Sequence, residues 1–341
     1  MKKSLITLSS RRMPDAQRGM TLIELMVAMV LGLLIALAAV AALLVSRQGF
    51  FAVDAASQLR DNARFAQDMV QRIGVQAGFK NVFFMKGGGV ASAGLDGNPE
   101  PHVFGLNDKQ RSPSDAWNGG SSWGNSDLGK NSDILVLRAQ VSTANAGSSA
   151  SDGTMINCLG IAPTATPTSR DDRFISILHV QAGSDGEPAL MCTYEESKGS
   201  FKSEPLVQGV ENFQVLYGVD GVVPGAAPTL ATDSVPERYL RADQLTVAGN
   251  DVATYANWRR VRSLRIGMVL RSLPGSGIDK DSQTFYPLGS TKASGSATAL
   301  GGAFSSTSDP GTVFAPPADG RMRQVVTFTV HLRNFQDLES F

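Results

Sequence analysis

The sequence predicts an α+β protein in which a long N-terminal helix packs on an antiparallel β-sheet domain with long loops. An apolar stretch at residues 25–45 is followed by an amphipathic pattern that reaches residue 78. Beyond residue 79, segments that alternate apolar and polar residues are separated by stretches rich in Gly, Ser, Asn and Pro. We therefore divide the 341-residue chain into segment 1–19, helix 20–78 and β-rich domain 79–341.

The first 19 residues are basic, and the stretch that follows is long enough to cross a membrane. Residues 1–19 contain five Lys or Arg and one Asp, whereas residues 25–45 contain no charged residue. A helix of that length spans about 31 Å, close to the ~30 Å hydrocarbon core of a bilayer. The basic flank predicts a cytoplasmic N-terminus and a C-terminal domain across the membrane.

Three interpretations of this segment fit its physical properties. A secretory signal peptide would be cleaved near the A-x-A sequence Ala39-Val40-Ala41, and a plain membrane anchor would be retained. Neither accounts for Glu24, because an acid inside a membrane segment costs about 3 kcal/mol and usually marks a partner or a function. The third interpretation is a retained membrane helix in which Glu24 serves such a partner or function.

Residues 18–25, Arg-Gly-Met-Thr-Leu-Ile-Glu-Leu, resemble the class III signal of type IV prepilins and pseudopilins. The resemblance implies that residues 1–19 are a leader, that prepilin peptidase cleaves after Gly19, and that the new amine of Met20 is methylated. It also implies a type IV pilin-like fold that keeps the apolar helix. Met20 departs from the family, in which Phe is commonest at this position, and the leader is longer than in many major pilins.

Glu24 becomes the fifth residue of the mature chain under this resemblance. In a filament the apolar helices bundle away from water, where a carboxylate needs a cation. The amine of Met20 in an adjacent subunit supplies one, so this pair would set the axial register between subunits. A buried ion pair adds little net stability, but losing one partner is strongly unfavourable, which suits such a role.

The helical pattern continues beyond the apolar stretch. Apolar residues follow a 4-3-4-3-4 spacing between charged residues of both signs, which indicates a stripe that packs on the sheet domain. We expect one helix that ends near Gly74 and Gly78, with two helices broken near residues 46–49 as the alternative. The stripe consists of Leu59, Ala63, Ala66, Val70, Ile73 and Ala77.

Six segments of the C-terminal domain predict strands in one antiparallel sheet. Between them lie two loop-rich insertions, 86–132 and 274–320, of which the first contains a candidate short strand near Val103. Tyr217, Trp258 and Phe328 are predicted core residues. The predicted strands are 133–140, 173–181, 189–195, 210–219, 261–271 and 324–333.

The chain contains two cysteines, Cys158 and Cys192, both in the predicted exported domain. An oxidising compartment favours a disulfide between them. Cys192 lies in a predicted strand, and residues 154–157 form another candidate strand directly before Cys158. A loop of about 35 residues closed this way would stabilise the fold by ~4 kcal/mol. Two buried free thiols are the alternative.

No pattern in the sequence predicts an enzyme or a cofactor site. Three histidines (His102, His179 and His331) are scattered without a second ligand at metal-binding spacing. Residues 120–124 match G-x-S-x-G, but a nucleophile elbow needs a preceding strand and a following helix. Asp96, Asn98 and Asp220 could supply oxygen ligands to calcium, although solvated turns explain them as well. Equal numbers of basic and acidic residues, 31 each, argue against nucleic-acid binding.

Three further blocks resemble PilW-like minor pilins. They are residues 210–220, residues 258–272 and residues 321–334. The resemblance implies a non-catalytic subunit in the inner membrane, and later in the pilus, that primes assembly and helps form the pilus tip for twitching motility and adhesion. Its implied partners are other minor pilins, the major pilin, a PilY-type tip adhesin, prepilin peptidase and the inner-membrane assembly platform.

Two other functions remain open from the sequence. A pseudopilin of a type II secretion system would carry the same leader, although such proteins are usually much shorter. A periplasmic or secreted binding protein or enzyme would carry a cleaved signal peptide, and its mature chain would start near Ala42.

Overall fold

The computed structural model describes residues 19–81, 83, 98–125, 128–145, 147–197, 199–229, 232–277, 281–289 and 309–334. Two compact units divide the chain, Met1–Phe51 and Ala52–Phe341. The predicted leader, except for Gly19, and parts of both predicted insertions lie outside the described residues.

The first helix, α1, covers Leu22–Gln76 and is helical throughout residues 46–49, so the alternative of two helices broken there is wrong. Up to Phe51 the side chains of α1 are exposed. This segment contains few residues that break a helix, and a Cβ added at Gly32 or Gly49 would have no neighbouring atom within 4 Å. We refer to residues 25–45 as the apolar segment.

Within the second unit, α1 buries the predicted stripe. All six of its residues are buried, and they belong to the main hydrophobic core together with residues of both sheets. The helix ends near Gly74 and Gly78, as predicted. Gly74 itself lies inside α1, where a Cβ would be 2.8 Å from Cγ1 of Val330, so the glycine permits close packing. The helix ends two residues later, and Gly78 follows with a positive φ of 77°.

Nine strands form two antiparallel sheets, whereas the sequence predicted one. The five-stranded sheet has the order β1-β2-β3-β4-β5, and the four-stranded sheet has the order β7-β6-β8-β9. The first sheet contains β1 (Val103–Leu106), β2 (Ile134–Ala139), β3 (Phe174–Ala182), β4 (Pro188–Ser197) and β5 (Ser200–Gln208). The second contains β6 (Val210–Val219), β7 (Arg238–Leu240), β8 (Val261–Arg271) and β9 (Arg323–His331).

The chain passes from one sheet to the other at Gly209, the single residue between β5 and β6. Its φ is +82°, and a Cβ there would lie 2.4 Å from the carbonyl oxygen of Arg271, so a side chain would be strained and would also clash. The N–H of Gly209 donates to the carbonyl of Pro188 in β4, and its carbonyl accepts from the N–H of Arg271 in β8. A one-residue connection thus joins two sheets that share one core.

Two short helices precede β8: α2 (Ala242–Leu245) and α3 (Asp251–Trp258). The side chain of Asn250 caps α3 by accepting a hydrogen bond from the backbone of Ala253. Trp258 at its end is fully buried, and its ring packs against those of Tyr217 and Phe104 at centroid distances of 4.7 and 4.9 Å. Tyr217 and Trp258 are core residues as predicted, whereas Phe328 is partly buried and packs against the core.

Parts of both predicted insertions pack on the sheets. Trp117, from the first insertion, lies over a smaller apolar cluster on the outer face of the five-stranded sheet and contacts Phe104 edge-on. Pro287, from the second, lies over Gly267 of β8 and accepts a hydrogen bond from the hydroxyl of Thr327. These described parts therefore complete the fold by covering sheet faces that would otherwise be exposed.

The fold class is as predicted: an α+β arrangement with a long N-terminal helix and antiparallel sheets. All six predicted strands are present as β2, β3, β4, β6, β8 and β9, and the candidate strand near Val103 is β1. The candidate strand before Cys158 is wrong, because residues 154–157 form no strand. The sequence predictions missed β5, β7, α2 and α3.

Candidate assembly surfaces

The predicted processing segment lies directly before α1. Gly19, Met20 and Thr21 are non-helical and exposed. The backbone N–H of Glu24 donates to the Thr21 hydroxyl at 3.3 Å, and the N–H of Leu25 donates to the Thr21 carbonyl. Thr21 therefore caps the helix, and Glu24 is the acid of its first turn, where a negative charge favours the helix N-terminus. Glu24 thus has a local role besides the predicted register role.

The apolar segment contacts nothing in its own unit. Every large apolar residue from Leu22 to Val45 is at least about half exposed, and no residue in its most apolar 18-residue window is buried. By length and composition this helix can cross a membrane. Such an amount of exposed apolar surface is stable only when lipid or other protein covers it.

The two cysteines are joined in the structure. Sγ of Cys158 is bonded to Sγ of Cys192, their Cα atoms are 5.6 Å apart, and both residues are fully buried. Cys192 lies in β4, whereas Cys158 lies in an irregular segment whose backbone N–H donates to the Ser176 hydroxyl of β3. The bond ties this irregular segment to the five-stranded sheet.

A network of six alternating charges, which the sequence did not reveal, lies beside the start of β4 and β6. Arg271 donates to both Glu187 and Glu211, at 2.7 and 2.9 Å. Arg323 donates to Glu211 at 2.6 Å and to Asp319 at 2.8 Å, while Arg321 donates to Glu187 at 2.7 Å. We call this the charge network.

The charge network shifts the acid–base properties of its members. Hydrogen bonds from Arg321 lower the pKa of Glu187, those from Arg271 add to the effect, and burial opposes them. Burial would lower the pKa of Arg323, but Asp319 and Glu211 raise it above its ordinary value. Three members lie in β6, β8 and β9 of the second sheet, Glu187 directly precedes β4 of the first sheet, and Asp319 belongs to the second insertion. The network therefore fastens this insertion to the sheets.

Three arginines hold the segment that follows the undescribed residues 84–97. Arg138 donates to the Pro101 carbonyl and pairs with the Glu100 carboxylate at 2.8 Å. Arg173 donates to the carbonyl of Glu100 at 2.6 Å, and Arg259 donates to that of Pro99 at 2.7 Å.

The Arg138 side chain is almost completely buried. Its guanidinium lies 3.6 Å from the ring centroid of Trp117. Burial lowers the pKa of Arg138 to about 9, although the Glu100 carboxylate opposes the shift. Arg138 and Arg173 belong to or adjoin strands of the first sheet and Arg259 precedes β8, so the held segment links the two sheets.

The histidines do not come together. His102 is buried beside Arg173, and burial with that positive charge lowers its pKa well below the ordinary value. His179 is buried in β3, 2.8 Å from the hydroxyl of Thr193, and burial lowers its pKa to about 3. His331 is exposed at the end of β9. Their positions indicate structural histidines rather than a shared site.

The G-x-S-x-G match lies in an irregular stretch. Ser121 forms an isolated bridge with Gln110, and among the described residues around 120–124 no strand precedes and no helix follows the central Ser122. The strand–turn–helix geometry of a nucleophile elbow is therefore not formed there.

The candidate calcium ligands are separated. Asp96 lies outside the described residues, and the Asn98 side chain accepts a hydrogen bond from Arg259. Asp220 instead groups with Asp233 and Glu237, with ligand atoms within 4.8 Å of one another. Its buried carboxylate already accepts from the N–H of Ser234 at 2.8 Å and from Arg262 at 3.4 Å. Protein donors thus account for this cluster as a support of the β6–β7 loop.

Sequence reasoning missed the charge network and the arginines that hold residues 99–101. Each depends on contacts between residues far apart in the chain, such as Glu187 with Arg321 and Arg138 with Glu100. The only local signal was the concentration of basic residues at the ends of predicted strands, which does not identify their partners.

Two family models match parts of the chain. Residues 177–334 match the family model "Type IV Pilus-assembly protein W", and residues 15–40 match the model of the prokaryotic N-terminal methylation motif. The first match contains the three blocks at 210–220, 258–272 and 321–334, and the second contains Gly19, Met20 and Glu24.

Among curated proteins, no sequence matches the chain. Among solved structures, the chain is similar to a type IV-like pilin from Thermus thermophilus, with 12% sequence identity and a TM-score of 0.38. That alignment covers 82% of this chain and 97% of the other. The two family matches support a PilW-like type IV pilin with a prepilin N-methylation signal, the first over residues 177–334 and the second over residues 15–40.

Proposed function

We propose that this chain is a non-catalytic subunit that primes assembly of a type IV pilus and forms part of its tip. The observation that carries the proposal is the exposed apolar segment at residues 25–45. A bilayer covers this surface before assembly, and the helical core of a filament covers it afterwards. Exchange between these two apolar environments lets a membrane protein become a filament subunit without exposing the segment to water.

Processing sets the start of the mature chain in this proposal. Prepilin peptidase cleaves between Gly19 and Met20, which are exposed and precede the first turn of α1. Met20 is then N-methylated. The N-terminus stays cytoplasmic, and the second unit faces the periplasm, where the Cys158–Cys192 disulfide is chemically favoured.

The mature N-terminus tests this proposal directly. We expect the membrane-extracted protein to begin with N-methyl-Met20 when its N-terminal peptide is analysed by mass spectrometry. A chain that begins near Ala42 would overturn the proposal, because a signal peptidase would then have removed the apolar segment. Gly19→Val should block cleavage and leave the precursor in the membrane, whereas Gln17→Ala, two residues away, should be processed normally.

Glu24 sets the register in the filament by pairing with the amine of Met20 in the adjacent subunit. The exposed carboxylate has no ion pair among the described residues of its own chain. Its local contribution, a negative charge in the first turn of α1, is worth about 0.3–1 kcal/mol and is therefore too small to account for a loss of assembly.

Two substitutions separate these roles of Glu24. We expect Glu24→Leu to leave membrane insertion intact but to reduce incorporation into sheared pili at least tenfold, because a buried amine would lose its partner. Thr21→Ala removes the cap and keeps the carboxylate, so incorporation should stay within about twofold of normal. Normal incorporation of Glu24→Leu would contradict the register role.

The proposed partners are other minor pilins, the major pilin, a PilY-type tip adhesin and the inner-membrane assembly platform. Motility and adhesion follow from the pilus rather than from chemistry on this chain. Purification of the intact membrane complex followed by identification of its members tests this part. Recovery of type II secretion components in place of pilins would assign the chain to a secretion pseudopilus.

A further inference from the structure

Strand β9 forms one edge of the four-stranded sheet. It pairs with β8 over nine residues without a register shift, and His331 lies opposite Ser263. Just beyond, the N–H of Leu332 donates to the carbonyl of Arg262, its direct partner in the same register. Because hydrogen-bonded pairs alternate along an antiparallel ladder, the bonds to β8 are made by Gln324, Val326, Phe328 and Val330.

The residues between them direct their backbone groups away from β8. Val325, Thr327 and Thr329 therefore carry the N–H and C=O groups of the outer edge. In the described part of the chain none of these groups has a hydrogen-bond partner, and Thr327 is exposed. The side chains of Val326, Phe328 and Val330 pack on the core, so the strand is held in place while its outer edge is unpaired among the described residues.

The other sheet edges are less open to an added strand. Strands β1 and β7, at two of the edges, have only four and three residues. Strand β5 has nine, but it contains Pro205, exposed Lys202 and two register irregularities against β4. Short edges, Pro, Lys and bulges are the usual means of preventing edge pairing.

Strand β9 has none of these features between Gln324 and Val330. That stretch contains no charge, no Pro and no Gly, and it is rich in Val, Thr and Phe. Such a regular, uncharged edge promotes uncontrolled pairing between chains unless a specific partner covers it. An open edge of this kind is therefore best explained by a partner that pairs with it.

We propose that the outer edge of β9 accepts an extended, uncharged strand from a different subunit of the same filament, by β-strand addition. Only an extended backbone matches donors and acceptors that repeat every two residues, and the lack of charge beside Thr327 favours an apolar or β-branched strand. This inference rests on the proposed function, in which the chain assembles with other minor pilins and the major pilin, and the partner is therefore a different subunit.

Hydrogen–deuterium exchange tests the inference on the full chain. We expect peptides that cover Val325 to Thr329 to exchange at least tenfold faster in the detergent-solubilised chain alone than in the purified complex with its pilin partners. A complex that forms without slower exchange in β9 would overturn the inference and leave the proposed function intact. Failure of any complex to form would count against the proposed function itself.

A matched pair of substitutions gives a second readout. Thr329→Pro removes an outward N–H but none of the bonds to β8, whereas Thr329→Ala keeps that N–H. We expect the proline variant to lose at least tenfold in recovery with the complex and the alanine variant to behave normally. Equal recovery of both, with unfolding midpoints within a few degrees of each other, would overturn the inference.

Oligomeric state separates the proposed partner from a second copy of this chain. The solubilised chain should remain monomeric in light scattering as its concentration rises, with unchanged exchange in β9. Slower exchange that accompanies dimer formation, and that Thr329→Pro abolishes, would assign the edge to self-association and overturn the choice of a different subunit.

Discussion

The two halves of α1 have similar helical backbones but opposite environments. From Leu22 to Phe51 the apolar side chains are exposed on every side. From Ala52 to Gln76 the buried residues form one stripe that packs in the core with residues of both sheets. The remaining positions are mostly charged or polar, and of the large apolar residues there only Val53 and Phe65 are exposed. The first half has an apolar surface without a partner among the described residues of its own unit, whereas the second half packs on the sheets of the unit to which it belongs.

This difference shows which parts of the molecule fold and which assemble. An amphipathic helix gains its stability from burial of one face in its own domain. A helix that is apolar all round is stable only in a bilayer or among other helices. The same kind of substitution should therefore affect folding in one half and assembly in the other.

The largest expected effect comes from placing an acid in each half. Val70 is fully buried, so Val70→Asp should lower the free energy of unfolding by at least ~4 kcal/mol, because an unpaired carboxylate would be buried. Val30 is 58% exposed, so Val30→Asp should leave the unfolding midpoint of the second unit unchanged. It should instead weaken membrane and filament association, by about 3 kcal/mol at the centre of the membrane.

Thermal unfolding of the full chain in detergent and recovery in sheared pili measure these two effects. Arg64→Asp, on the exposed side of α1, controls for the acid itself and should change neither quantity strongly. A loss of unfolding stability in Val30→Asp as large as in Val70→Asp would contradict the distinction between the halves.

The part of the fold that could be predicted from the sequence follows the same division. The stripe of α1 and strands such as β6 and β8 bury continuous apolar residues, and their patterns fixed the predicted bounds within a few residues. Strand β5 escaped prediction because Lys202, Glu204 and Pro205 make it resemble a loop, and its edge position tolerates them. Strand β7 has three residues, too few for any periodicity.

Gly209 and Gly74 show why the arrangement of elements was harder to predict. At Gly209 the chain passes from one sheet to the other, but a lone glycine in the sequence equally predicts an ordinary turn. Gly74 correctly indicated a nearby helix end, but its close contact with Val330, which is 256 positions away in the chain, could not be predicted. The candidate processing residues, by contrast, were predictable because Gly19, Met20 and Glu24 form a local motif.

Lowering the pH should also affect the two halves of α1 differently, with a smaller expected change in folding stability. The folded unit disfavours protonation of His179, because burial lowers the pKa to about 3 from an ordinary 6.5. The resulting stability is fully present above pH 6.5 and is lost as the pH falls toward 3. Between about pH 7 and pH 5 the loss should be about 2 kcal/mol. The apolar segment contains no titratable group, so its association should not contribute to this loss.

The comparison of wild type with His179→Gln isolates this contribution. Urea unfolding at both pH values should show a smaller loss of stability in His179→Gln than in wild type. Two other buried groups act in both proteins: His102, whose pKa is lowered by burial, adds to the loss at low pH, and Asp133, whose pKa is raised by burial, opposes it. His331→Gln, at an exposed position, serves as the control. An identical pH dependence in wild type and His179→Gln would exclude His179 as the cause.

The smallest effect compares one glycine from each half. In Gly74→Ala the new Cβ would approach Cγ1 of Val330 to 2.8 Å. The cost of this clash exceeds the ~1 kcal/mol gain in helix propensity, so we expect the free energy of unfolding to fall by about 1 kcal/mol. Gly32 has no atom within 4 Å of the same position, and Gly32→Ala should therefore leave unfolding of the second unit unchanged. A destabilised Gly32→Ala chain would mean that the apolar segment packs on its own head in solution, and the division between folding and assembling halves would then fail. Unchanged unfolding together with reduced incorporation into pili would instead place Gly32 at a contact made only in the filament, since small residues permit close approach of neighbouring apolar helices.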